Sequence, residues 1–344
     1  MKNITIVSML LLMTIILPAC EAGDDSHGNS SGDADSDTDT DTDTDTDTDA
    51  DTDTDADAGG GQSGAGCTGM NILFVIDDSG SMMEEQTNLA NNFPKFIEVL
   101  DDYDTKSGAP LEYRIGVTTT AVTRNYKESV FNIPMPTSTS GIDGELVGQA
   151  TCNLTEPWVE GPGPDVTSDF SCTAMVGTEG SATEMPFAAM EGALGEEEPF
   201  KSAPGGPNEG FYRKDEDSLL VVVMITDEDD CSVRNGGTIT MPFAGSSDCN
   251  EAKSPGLYTP EDMKDFLDGL TGGPGSYVVV GIAGPNECSS QFGDANNAKR
   301  VRKFVELCAD YGVFGDICAG DLWVSLQHAL EVMTVTCDGM GPVI

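Results

Sequence analysis

Ile72-Leu73-Phe74-Val75-Ile76-Asp77-Asp78-Ser79-Gly80-Ser81-Met82 is the stretch on which the reading of this chain turns. An apolar run of strand length ends in Asp-x-Ser-x-Ser, and a helical pattern follows. This places one carboxylate and two hydroxyls in a tight loop at the carboxyl end of a buried strand. In open α/β sheets ligands bind at that end. Three hard oxygens converging there suit Mg²⁺ or another hard divalent cation.

Working outward, apolar runs alternate with helical patterns, as in a mainly parallel sheet covered by helices on both faces. Strands are expected at about 71–77, 111–119, 218–226, 276–283 and 311–315. Helices are expected at about 82–101, 184–195, 260–270, 296–310 and 321–334. Met82, Leu89, Phe93, Phe96, Ile97 and Leu100 give the first helix an apolar face. Pro94 lies inside it and predicts a kink or a split. Two segments, 120–180 and 228–259, exceed what such a fold needs. Both leave the carboxyl end of a strand, so they are expected to shape a binding surface there.

Asp77, Ser79 and Ser81, followed far downstream by an apolar strand ending in Thr226-Asp227, resemble the von Willebrand factor A family. Its metal ion-dependent adhesion site opens with Asp-x-Ser-x-Ser. The resemblance covers about residues 68–338. It implies a doubly wound α/β fold with long disulfide-containing insertions, and a metal held by three loops. Asp77, Ser79 and Ser81 form the first loop, and Asp227 takes the family's late aspartate. The family offers a Thr in the second loop. Here Gly180-Ser181-Ala182-Thr183-Glu184-Met185-Pro186-Phe187 precedes the helical residues, and either Glu184 or Thr183 falls at that position. The implied cofactor is Mg²⁺, with Mn²⁺ or Ca²⁺ as alternatives. The implied partner is a protein whose acidic side chain completes the ion's coordination. A Glu at position 184 would weaken the demand for that acid. Two bland readings compete. Ser81 with Glu84 has the spacing of a capping box, and Asp227-Glu228-Asp229-Asp230 reads as a solvated loop, with a second cation as the sharper alternative.

The start of the chain reads as a bacterial lipoprotein signal over residues 1–20. Lys2 supplies a positive charge, Ile4 to Leu17 is apolar but too short to span a membrane comfortably, and Leu17-Pro18-Ala19-Cys20 resembles a lipobox. Cys20 is the expected lipidation site. A lipid anchor would be the chain's contact with the membrane, and Glu21 fits outer-membrane sorting in a Gram-negative envelope. Residues 21–66 form an Asp/Thr-rich stalk. Its like charges repel and nothing in it is apolar enough to bury. Fully extended, it would reach on the order of 150 Å. Asp41-Thr42-Asp43-Thr44-Asp45 resembles the start of an EF-hand loop without its Gly and terminal Glu. The remaining domain, 67–344, carries the resemblance.

The chain has 16 basic and 60 acidic side chains, a formal charge of −44. Sixteen of the acids lie between residues 21 and 66, so the remainder is acidic too. This argues against nucleic acid and anionic lipid as partners. Only His27 and His328 are present, which disfavours a zinc site or a His-based triad. No nucleophile with a positioned base is legible, and the chain reads as a binding protein rather than an enzyme. A scaffold in which the metal only stabilises the fold is the alternative, and a metal-dependent hydrolase is a third.

Ten Cys fit an oxidising compartment. With Cys20 lipidated, nine remain. In a doubly wound sheet Cys67, before the first strand, and Cys337, after the last helix, fall on the side away from the metal. They are expected to pair. Cys288 and Cys318 both fall on the metal side and form a second pair. Cys152–Cys172 and Cys231–Cys249 would close local loops. Cys308 is left free, with Cys308–Cys318 as the rival pairing.

Overall fold

The computed structural model describes residues 66–131, 133–214, 217–241, 249 and 253–341. The signal, Cys20, His27 and the stalk up to residue 65 lie outside the described residues. In chain order the elements are β1 (Gly69–Ile76), α1 (Met83–Asp101), β2 (Glu112–Thr119), β3 (Arg124–Val130), β4 (Ile133–Thr139), α2 (Gly148–Cys152), β5 (Val159–Gly161), α3 (Val166–Thr173) and α4 (Pro186–Leu194). Then follow β6 (Ser218–Ile225), β7 (Thr238–Met241), α5 (Pro260–Thr271), β8 (Tyr277–Ala283), β9 (Cys288–Ser290), β10 (Gly293–Ala295), α6 (Lys299–Leu307), β11 (Gly312–Asp316) and α7 (Leu322–Gly339).

The main sheet has six strands in the order β11-β8-β6-β1-β2-β5. All its pairings are parallel except β2 with β5. Residues of β1 alternate between two cores. Ile72, Phe74 and Ile76 pack on one face with Phe93 and Phe96 of α1, Phe170 of α3, and Leu326 and Met333 of α7. Leu73 and Val75 pack on the other with Phe187 of α4, Leu267 of α5 and Phe304 of α6. Every residue of β1 and of β6 is buried. That is why these strands are continuous apolar runs rather than alternating ones.

Pro94 neither breaks nor splits α1, which runs as one element over 19 residues. Pro94 sits on the exposed face. Its missing N–H leaves the Ala90 carbonyl, one turn earlier, without its helical donor. The expected capping box is also absent. The residue preceding α1 is Met82, with no side-chain cap, and Ser81 points elsewhere.

The two long insertions join. β3 pairs with β4 of its own insertion and, in parallel, with β7 of the other, giving a separate three-stranded sheet. The first insertion also sends β5 back to the edge of the main sheet. Cys67–Cys337, Cys152–Cys172, Cys231–Cys249 and Cys288–Cys318 are all bonded, and Cys308 is a buried free thiol. The first bond ties the two ends of the described domain together, beside hydrogen bonds from Gly66 N to Met340 O and from Cys67 N to Cys337 O.

Candidate functional site

The chain moves from β1 to β2 on one side and returns through β6 to β8 on the other. The carboxyl ends of β1 and β6 therefore flank a crevice left by connections departing in opposite directions. Register places Ile76 level with Thr119 of β2 and Ile225 of β6. The residues that follow, Asp77, Thr120 and Thr226, are thus brought side by side.

Asp77 is fully buried. Its Oδ1 accepts from Ser79 N at 2.8 Å, and its Oδ2 accepts from Thr226 Oγ1 at 2.8 Å. Gln86 holds the loop from below, donating to Asp77 O and to Gly177 O. Ser79 Oγ and Ser81 Oγ are 3.1 Å apart. Asp227 lies near enough for its charge to act on Asp77. Two carboxylates that close favour a proton or a cation nearby. The second loop delivers Glu184, which is 1 % exposed. Its Oε2 accepts from Thr120 Oγ1 at 3.4 Å. The Thr183 hydroxyl lies instead 3.4 Å from that of Tyr126. Of the two residues expected at this position, Glu184 carries the charge inward.

Burial pushes all these carboxyls above their ordinary range. Asp77 rises to about 7, through desolvation and then the neighbouring charge of Asp227. Glu184 rises to about 10, through desolvation and then Asp77, Glu228, Asp227 and Asp78. Asp227 is raised by its burial. Glu228 and Glu85 each rise to about 7, desolvation again first. Glu184 Oε1, Asp227 Oδ1, Asp78 Oδ1 and Glu85 Oε2 are buried without a hydrogen-bond partner among the described residues. Buried polar oxygens normally have partners, and buried carboxylates normally have cations. A divalent cation supplies both at once, so the donor set fits one. Carboxylates and hydroxyls are also the hard oxygens that Mg²⁺, Mn²⁺ and Ca²⁺ prefer. Asp77, Asp227 and Glu184 do not gather within 4.8 Å of one another. Ser79 and Ser81, whose hydroxyls lie together in the loop, would hold such an ion, with the surrounding carboxylates offsetting its charge.

The rest of the acidic run is not a solvated loop. Asp230 is fully buried and paired with Arg300 at 3.0 Å. It also accepts from Phe187 N, Ser232 N and Ser232 Oγ. Asp229 Oδ1 accepts from Arg300 N and Val301 N at the start of α6. These two residues anchor the loop. Cys288, Asp316 and Cys318 also lie close together, but the two Cys are bonded to each other, so their sulfurs are not free to bind a metal.

Thr120, Gln86 and Glu85 belong to this site and were not singled out from sequence, while Thr226 and Glu228 were named beside Asp227 without a role here. The run Thr118-Thr119-Thr120 after an apolar strand is the one signal that pointed to it.

No protein-family model and no curated protein matches the chain. Among solved structures it is similar to crystal form 2 of proximal thread matrix protein 1 from the mussel byssus, at 13% identity and a TM-score of 0.37, over 78% of this chain and 49% of that one. It is also similar to the pilus adhesin SpaC from Lactobacillus rhamnosus GG in its open conformation, at 9% identity and a TM-score of 0.38, over 79% and 30%. The chain spans about half and under a third of the length of these two structures.

Proposed function

We propose that this chain is a lipid-anchored protein of the bacterial envelope whose α/β domain is a von Willebrand factor A-type binding module dependent on a divalent cation. The observation that carries the reading is the convergence of Asp77, Glu184 and Asp227 from three loops, two of them with an unpartnered buried oxygen. In this reading Ser79 and Ser81 ligate the ion through neutral oxygens. Asp77, Asp227 and Glu184 balance its charge, and one coordination position is left for an oxygen of a protein partner. Thr226, Thr120 and Gln86 hold the loops in place. The bound ion acts by completing a contact and not by activating water.

Calorimetry on the full-length protein tests the ion. Wild type should bind Mg²⁺ or Mn²⁺, and Asp77→Ala should not, while keeping its circular dichroism spectrum. Unchanged affinity in that variant removes the site assignment. The anchor is tested by metabolic labelling with a palmitate analogue, which should mark wild type and not Cys20→Ser. Equal labelling of both rejects lipidation.

A further inference from the structure

Beside the ion position a cavity of about 390 Å³ opens between the β6 loop and the β9–β10 hairpin. Ser81, Asp227, Glu228, Glu287, Ser289 and Asp294 are among its lining residues. Its lining includes four carboxylates and no Lys, Arg or His. Glu287, just before β9, and Asp294 of β10, which pairs with Ser289, are both exposed at the open end of one hairpin, whose first strand is bonded to Cys318 through Cys288. None of Glu228, Glu287 and Asp294 is in an ion pair among the described residues.

A second observation is independent of the ion's own ligands. Glu85, on the first turn of α1, is 1 % exposed, and its Oε2 has no partner. Its carboxyl presses against Gly293 of the hairpin, where a Cβ would land on Glu85 Oε1. A buried carboxyl thus packs against the hairpin that carries Asp294. Asp227 and Asp294 both act on that carboxyl.

We propose that this cavity receives a basic side chain, arginine or lysine, from a protein partner, so that the partner presents a cation beside the ion. The charge balance favours it. A divalent ion offsets two of the three charges on Asp77, Glu184 and Asp227. An incoming carboxylate then meets net negative charge on the ion's own ligands and three further acids, Glu228, Glu287 and Asp294, around it. Like charges across an interface select against a partner, and opposite charges select for one. Shape separates a basic side chain from a second metal ion. The wall carboxylates do not converge within 4.8 Å in any group of three among the described residues, and the loop hydroxyl pair of Ser79 and Ser81 belongs to the ion position rather than to the wall. The wall carboxylates are spread around an opening, which suits a guanidinium with its five donors or an ammonium on a long stem. The chemistry is that of a protein cation and not of a small ion. Glu287 and Asp294 lie outside the ion's ligands, so this inference rests only in part on the metal-dependent reading.

The test uses full-length protein and a displayed library of random dodecapeptides, selected in Mg²⁺ at physiological salt. Selected peptides should carry Arg or Lys in excess over Asp and Glu. The best peptide should bind Glu287→Gln/Asp294→Asn at least about tenfold more weakly than wild type, the usual scale for losing a charge-assisted contact. Replacing its key Arg by citrulline should cost a similar factor. Both substituted side chains are exposed, and the double variant keeps the acidic stalk, so stalk binding cannot imitate the result. Acid-rich peptides overturn the proposal, as do basic peptides that bind the double variant unchanged, or a failure to enrich any peptide. Two Mg²⁺ per wild-type chain and one in the double variant would assign the cavity to a second ion instead. Calorimetry on Asp77→Ala keeps the two readings apart. Basic peptides that bind a wild type unable to take up Mg²⁺ leave the cavity assignment standing and remove the metal.

Discussion

Asp227 and Asp230 stand three residues apart in one acidic run, both buried, and they are opposites. Every acceptor position that Asp230 offers is used inside the fold. Arg300 neutralises it, and Phe187 N and Ser232 complete its hydrogen bonds. Arg300 also donates to Tyr258 O, so one ion pair fastens α6, the second insertion and the start of α4. Asp227 sits among Asp77, Glu184 and Glu228 with an oxygen that nothing satisfies. The difference separates structure from function within four residues. A buried charge whose partner lies in the chain holds the fold together. One whose partner lies outside it marks where something binds.

The largest effect tests the first half of that contrast. Arg300→Ala should destabilise by about 3–5 kcal/mol in urea unfolding, because it leaves Asp230 buried and alone. Asp227→Asn in EDTA should lose nothing or gain stability. A loss as large as that of Arg300→Ala would mean Asp227 has its partner within the fold.

The pH dependence in EDTA comes next. Asp77, Glu85 and Glu228 titrate near 7 when folded, against ordinary values of 3.8 and 4.5. Between those values the folded chain holds more protons than the unfolded one. Stability is therefore greatest in acid and falls as pH rises through about 7. Glu184, raised to about 10, extends the loss into the alkaline range. A fall in stability between pH 5 and 8 is expected from thermal unfolding. A rise over that window would contradict the cluster.

Mg²⁺ should reverse the loss. At a hundredfold excess over its Kd it should stabilise the folded chain by about 2.7 kcal/mol at pH 8, and Asp77→Ala should show no such gain. The smallest effect concerns the second loop. Thr183→Ala should change stability by no more than about 0.5 kcal/mol and leave Mg²⁺ affinity as it was. Glu184→Ala should remove most of that affinity. The reverse result would return the position to Thr183.

The parallel strands were legible because burial on both faces writes them as unbroken apolar runs, as in Leu219 to Ile225. The helices were legible through their periodic apolar faces. The disulfides followed from topology, which settles at which end of the sheet each Cys emerges. Other features were misread for local reasons. Ser81 and Glu84 have capping-box spacing, but the Ser81 hydroxyl meets that of Ser79 instead. Pro94 is tolerated because it lies on the solvent side of α1. The union of β3, β4 and β7 was not legible, since it pairs segments more than a hundred residues apart.

By itself the sequence determined the strand and helix order, the acidic charge, the separation of the Cys into two ends of a sheet, and the Asp-x-Ser-x-Ser loop. These depend on periodicity and chain order, which are local or topological properties. Tertiary structure alone decided that Glu184 points inward, that Glu85 and Glu228 lie near Asp227, and that Asp230 meets Arg300 while Asp227 meets no base among the described residues. A carboxylate's role depends on what surrounds it in three dimensions. Four adjacent acids in a sequence carry no record of which one will find its counter-charge inside the fold.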